Sequence, residues 1–206
     1  MSLLKNQIIL HPDFVGQFSI DKPVTPYEHR VGFSWYLCPA TVATQQVWLL
    51  VNIEFGYCEL LDAPENTSAD IEQCLLDVIE RHLPDDREED NVSVSLNPAD
   101  VSWHTADKIP VHVGIRYQQA TDVLHKCKDI CDAEDALETF NDTEITIGSR
   151  TFAPADGLNG LLEELADRFR QYIETTPWWK LQWHLLIGKR PWLNEYGGSR
   201  RRPVTP

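Results

Sequence analysis

Residues 29–58 read HRVGFSWYLCPATVATQQVWLLVNIEFGYC, and their pattern decides the fold class. Over His29–Cys38, Val31, Phe33, Trp35 and Leu37 alternate with Arg30, Gly32, Ser34 and Tyr36. Over Val47–Cys58 the alternation recurs, with Val47, Leu49, Val51, Ile53, Phe55 and Tyr57 on one side. A period of two over this length predicts half-buried strands, because successive side chains of a strand point to opposite faces. Pro39–Gln46 joins the two as an antiparallel hairpin. A further strand is expected upstream, within Gln7–Leu10 or Gly16–Ile20, on a path interrupted by Pro12, Pro23 and Pro26.

Downstream the period changes. Thr67 or Ser68 is placed to cap a helix whose first turn carries Asp70 and Glu72. Ile71, Cys74, Leu75, Val78, Ile79 and His82 form its apolar stripe, and Pro84 closes it. Strands are expected at Val92–Leu96 and at Ile109–Tyr117, where Val111, Val113, Ile115 and Tyr117 alternate with His112, Gly114 and Arg116. A helical region follows over Gln119–Phe140, broken near Cys131–Ala133, with Val123, Leu124, Cys127, Ile130 and Cys131 as its face. A short strand at Glu144–Gly148 precedes a helix over Gly157–Glu174, which carries Leu158, Leu161, Leu162, Leu165, Phe169, Tyr172 and Ile173 and ends at Pro177. Trp179, Leu181, Trp183, Leu185 and Ile187 then alternate with Lys180, Gln182 and His184, predicting a final strand.

Hairpins and helices interleaved without a regular βαβ beat predict an α+β fold, an antiparallel or mixed β-sheet covered by two to three amphipathic helices. The reading expects one compact domain over residues 1–196, with the loop at 84–91 as its one point of division. A flexible basic tail is expected over 197–206.

Composition bounds the function. The chain has 206 residues, 32 acids and 18 bases, a net charge of −14, and seven tryptophans in a 42% hydrophobic composition. Such a chain buries a core, which excludes global disorder. No run approaches about 18 uncharged apolar residues, so no membrane-spanning helix is expected. The opening MSLLKNQIILHPD lacks an apolar stretch followed by a small-residue cleavage site. Five cysteines, Cys38, Cys58, Cys74, Cys127 and Cys131, are an odd number in a long chain, which suits reduced thiols and a cytoplasmic protein.

The charge is unevenly spread. Residues 1–53 are neutral, residues 54–167 carry 27 acids against seven bases, and residues 168–206 carry two acids against eight bases. An acidic body with a basic, aromatic end argues about partners rather than about fold.

Candidate chemistries can be weighed against this background. His125, Cys127 and Cys131 offer zinc's preferred ligand types, but they share a face with Val123, Leu124 and Ile130, so core packing is the expectation. Cys38 or Cys58 with His104, His112 or His184 could supply a thiol nucleophile and a base, yet no spacing selects a pair. Glu163, Glu164 and Asp167 lie on the polar side of a helix, with Glu164 spaced to pair with Arg168. The ten glycines form no phosphate loop, which disfavours nucleotide hydrolysis; no cofactor and no metal are expected.

The balance favours a non-enzymatic interaction protein of the bacterial or phage cytoplasm: an adaptor, an inhibitor or immunity-type protein, or a subunit of a larger complex. Its acidic body would engage a protein partner with a basic surface. The expected contact residues are the acidic run Asp85, Asp86, Glu88, Glu89 and Asp90 and, at the other end, Trp178, Trp192, Arg200, Arg201 and Arg202. Two alternatives stand beside it. One is a cysteine- or carboxylate-dependent hydrolase whose site assembles only in the fold. The other is a nucleic-acid-associated subunit binding through the Trp- and Arg-rich C-terminal end, where indoles beside cations suit stacking and phosphate neutralisation.

Overall fold

The two alternating stretches do pair, and the turn between them is tighter than the sequence suggested. In the computed structural model, which describes residues 6–27, 33–61, 67–83 and 98–186, strand β3 (Phe33–Val42) runs antiparallel to β4 (Gln45–Asn52), with Val42 opposite Gln45. Only Ala43 and Thr44 form the turn, and Ala43 is left-handed, with φ of 52°. Val47–Cys58 is not one strand. The Asn52 side chain accepts hydrogen bonds from the Glu54 and Phe55 amides, both at 3.0 Å, and so folds the backbone into a turn. Gly56 takes φ of 68° there, a conformation open to glycine without strain. The chain then returns as β5 (Cys58–Leu61), antiparallel to β4.

Strands β1 (Asn6–Leu10), β2 (Val24–Pro26) and β6 (Val101–Thr105) complete a six-stranded mixed sheet of order β2-β6-β1-β3-β4-β5. Strand β1 is parallel to both β3 and β6, and β2 is parallel to β6. A separate hairpin pairs β7 (Ile145–Ile147) with β8 (Arg150–Phe152). Five α-helices accompany them: α1 (Ser68–Arg81), α2 (Val111–Leu124), α3 (Ile130–Asp142), α4 (Pro154–Thr175) and α5 (Trp178–Leu186). The fold is α+β around a mixed sheet.

The strands are covered on both faces rather than half-buried. On one face Ile8, Leu10, Trp35, Leu37, Leu50 and Trp103 pack against Ile71, Leu75 and Ile79 of α1 and Leu158, Leu162 and Phe169 of α4. On the other, Ile9, Tyr36, Cys38, Leu49, Val51 and Cys58 pack against Val113, Ala120 and Leu124 of α2 and Ala133 and Leu137 of α3. Ser34 and Tyr36, read from sequence as the polar side of a strand, are therefore buried too. Among the described residues four helices line the sheet, against an expected two to three.

Three assignments need correction. Ile109–Tyr117 is not a strand but leads into α2. Val113, Arg116, Ala120 and Leu124 are its buried residues, at spacings of three and four, while Val111 and Ile115 are exposed. The helical region over 119–140 breaks at His125–Asp129, before the expected point, where Asp129 caps α3 by accepting from the Asp132 amide at 2.9 Å. The stretch from Trp179, read as a final strand, is helix α5. Helix α1 begins as expected, with Thr67 accepting from the Asp70 amide, and α4 spans the predicted Gly157–Glu174. The expected strand at Val92–Leu96, the loop at 84–91 and the tail at 197–206 lie outside the described residues. Among those described, no helix is long and apolar enough to cross a membrane.

Candidate functional site

Strand β5 ends the sheet, and among the described residues no strand pairs with the outer side of its backbone. Part of that edge is closed by Asn141 at the end of α3. Its Oδ1 accepts from the Cys58 amide at 2.9 Å, and its Nδ2 donates to the Cys58 carbonyl at 2.8 Å. A side-chain amide thus stands in for a paired strand. By strand alternation the Leu60 amide and carbonyl share that outward edge.

Beyond the edge lies a cleft of about 700 Å³, walled by the C-terminal part of α1, by α3 and by the start of α4. Clefts of roughly 300–1,000 Å³ are the usual size of ligand sites. Six carboxylates line it: Glu59, Asp77, Glu134, Asp135, Glu138 and Asp142. Four of these come from α3, which turns its acids outward because Ala133 and Leu137 hold its other side to the sheet.

A hydrogen-bonded chain runs across the cleft. Tyr57 donates from its hydroxyl to Glu59 Oε2 at 2.8 Å, and Arg81 Nη2 donates to Glu59 Oε1 at 2.7 Å. His82 Nε2 lies 2.9 Å from the Tyr57 hydroxyl, and His82 Nδ1 lies 2.7 Å from Asn159 Oδ1. Because the phenol proton is given to Glu59, the phenol oxygen accepts from Nε2–H. A neutral imidazole then needs a donor at Nδ1 and an imidazolium needs an acceptor; the Asn159 amide serves either by rotation. Burial pushes the Tyr57 phenol far above its ordinary value, and the charge and hydrogen bond of Glu59 push it further. This phenol is a fixed donor, not a base. Arg81 is committed to Glu59, so the cleft presents a strong negative field.

The sequence-derived candidates fall elsewhere. Trp178 opens α5 and is exposed. Asp85, Asp86, Glu88, Glu89, Asp90, Trp192, Arg200, Arg201 and Arg202 lie outside the described residues. Cys38 and Cys58 are buried beneath α2 and α3, and burial raises both thiols, Cys58 to about 12 and Cys38 higher still. Thiols so held are protonated and poor nucleophiles. The proposed bases bond to other groups: His104 to Thr25 and Ser102, His112 to the Ile53 carbonyl, and His184 to Tyr172. Cys127 lies between α2 and α3 while exposed Cys131 is on α3, so they do not share one helical face. Among the described residues no three His, Cys, Asp or Glu side chains gather to hold a metal ion. Glu164 pairs with Arg168 at 2.6 Å, at the expected spacing.

Sequence reasoning missed the cleft. By spacing His82 belongs to the apolar stripe of α1, yet its ring is the polar link between Tyr57 and Asn159. The linked residues are 25 and 77 positions apart, beyond any local spacing rule. The acidic spacing Glu134, Glu138 and Asp142 on one helix was the available signal. No protein-family model matches the chain, and no curated protein matches it.

Proposed function

We propose that this is a non-enzymatic interaction protein whose acidic cleft receives a basic, extended segment of a protein partner. The observation that carries the reading is the lining of the cleft: six carboxylates around an edge strand, of which Glu59 is paired with Arg81 and the other five outnumber the cations of the lining. An extended segment laid along β5 would meet the Leu60 amide and carbonyl, adding main-chain hydrogen bonds, while its Lys and Arg side chains reach the acids of α3 and Asp77. The charge of −20 carried by residues 54–167 would speed the encounter and orient it. In this reading the protein is an adaptor, an inhibitor or immunity-type protein, or a complex subunit of a bacterial or phage cytoplasm.

Fluorescence anisotropy with a labelled peptide alternating Lys or Arg with Val tests the proposal. Binding should weaken steeply as salt rises from low to physiological ionic strength. The pair Glu134→Lys with Glu138→Lys, both on the exposed side of α3, should lower affinity by at least about tenfold, equivalent to about 1.4 kcal/mol. Unchanged affinity in a variant that melts like the parent would reject the cleft as the binding site.

A further inference from the structure

Helix α5 carries three indoles on its outer side. Pro177 precedes it, and its carbonyl accepts from the Lys180 amide at 2.8 Å and the Leu181 amide at 3.1 Å. Leu181 and His184 face the protein, and the His184 ring stacks on Tyr172 of α4 with centroids 5.9 Å apart and planes at 16°. The Tyr172 hydroxyl and His184 Nδ1 are also hydrogen-bonded, which fixes the helix's rotation against α4. That rotation sends Trp178, Trp179 and Trp183 to solvent at 74%, 68% and 56% exposure. At 3.6 residues per turn the three indoles cover an arc of about 140°. In the sheet, by contrast, Trp35 and Trp103 are fully buried.

The surrounding sequence says what such an arc would meet. Residues 175–194 contain no acid, in a chain with 32, yet they hold four of its seven tryptophans together with Lys180, Lys189 and Arg190. Residues 168–206 are net positive against a strongly acidic body. Indoles settle at the headgroup level of a bilayer, and nearby cations are drawn to anionic lipid. A single-stranded nucleic acid calls instead for a cationic groove with separate stacking platforms. Here the indoles share one arc of a single exposed helix, with Gln182 among them.

We infer that α5 is an interfacial helix that docks the protein on an anionic phospholipid surface through Trp178, Trp179 and Trp183. The acidic body, repelled by the same surface, would then point away from it and leave the cleft open to solvent. This inference does not depend on what the cleft binds.

The full-length protein should co-sediment with vesicles of phosphatidylcholine mixed with phosphatidylglycerol, and at least about tenfold less with phosphatidylcholine alone. Binding should shift the tryptophan emission to the blue, and brominated lipid should quench it. Trp179→Ala with Trp183→Ala should reduce co-sedimentation by about tenfold or more while the circular dichroism spectrum and melting temperature stay unchanged. Absence of binding to the mixed vesicles overturns the inference, as does binding that ignores the tryptophan changes. Capture of a single-stranded oligonucleotide by the indoles without vesicle binding would overturn it in favour of nucleic acid. A concentration-dependent dimer that hides the indoles from vesicles would overturn it in favour of a second copy. Anisotropy with the basic peptide reads the cleft separately, so either proposal can fail alone.

Discussion

Glu72 and Glu59 each accept one hydrogen bond from an aromatic side chain and one from a cation. Glu72, on α1, takes the Trp103 indole N–H at 2.7 Å and the Lys22 ammonium at 2.6 Å. Glu59, on β5, takes the Tyr57 hydroxyl at 2.8 Å and the Arg81 guanidinium at 2.7 Å. What lies beyond them differs. The Glu72 side chain, on the inner face of α1, is 3% exposed, and Lys22, 29% exposed, is tied as well to the Pro98 carbonyl at 2.7 Å. The Glu59 side chain is 15% exposed beside an open cleft, and Arg81 is 60% exposed. The same arrangement is a largely buried brace in one place and the floor of an open cleft in the other. Comparable geometry therefore carries different energies, because desolvation sets the penalty for breaking it.

The largest effect is expected at Glu72. Glu72→Ala strands a buried Trp103 donor and removes the Lys22 counterion, which should lower stability by about 3–5 kcal/mol in urea denaturation. The double change Lys22→Met with Glu72→Leu should recover only the part due to the unpaired ammonium, because the Trp103 indole N–H still lacks its acceptor. A loss below about 1 kcal/mol for Glu72→Ala would show that the brace contributes no more than a surface pair, and the contrast with Glu59 would collapse.

Glu59→Gln should cost much less, about 1 kcal/mol, because Arg81 remains solvated and Gln still accepts from Tyr57. Its effect on binding should match its effect on stability, with the basic peptide bound several-fold more weakly. Equal destabilisation by Glu59→Gln and Glu72→Gln would mean that exposure does not distinguish the two sites.

Alkaline titration sharpens the comparison further, because the Glu59 site holds a phenol and the Glu72 site an indole. Tyr57 is raised by burial and then by Glu59, Tyr36 is raised to about 12 by burial, and the buried thiols Cys38 and Cys58 are raised as well. Each is protonated in the fold at a pH where the unfolded chain has lost the proton. Their contribution is complete below the ordinary cysteine and tyrosine values of 9.0 and 10.0 and is lost as pH rises through the folded ones. Stability should therefore decline steadily from about pH 9 to pH 12. In tyrosinate absorbance, Glu59→Gln should bring one tyrosine down towards its ordinary range, whereas Glu72→Gln should leave the titration unmoved.

The sheet half of this comparison was more legible in sequence than the cleft half. Alternation found β3 and most of β4, and a Thr cap with a 3.6-residue stripe found α1, because each signal is local. Alternation failed at Val111–Tyr117 and at Trp179–Leu186, where a few residues fit either period. A better signal stood at the start of each segment: Pro110 precedes α2 and Pro177 precedes α5, just as Pro154 opens α4. Proline lacks the N–H that a strand must donate and suits the first turn of a helix, where that donor has no partner. Strand β6 is five residues held by β1 and β2, pairings that no local pattern contains. The cleft unites Tyr57, His82, Glu138 and Asn159 only once α1, α3 and α4 have docked around β5. The acids were visible in sequence as excess charge, but their convergence depends on tertiary packing.

The smallest expected effect lies in the β3–β4 turn, which touches neither carboxylate. Ala43 occupies the left-handed region in a two-residue turn, and its Cβ carries a strain of about 1–2 kcal/mol there. Glycine relieves that strain but loses about 0.5–1 kcal/mol of additional backbone entropy on folding. Ala43→Gly should therefore stabilise the protein by roughly 0.5 kcal/mol, with no change in peptide binding or in the tyrosine titration. Because the turn sets the register that places Val51 opposite Cys58 through β4, a change in peptide affinity would show that β5 is positioned from the hairpin. An unchanged affinity would leave Asn141 and α3 as the elements that hold the edge strand, and with it Glu59, at the cleft.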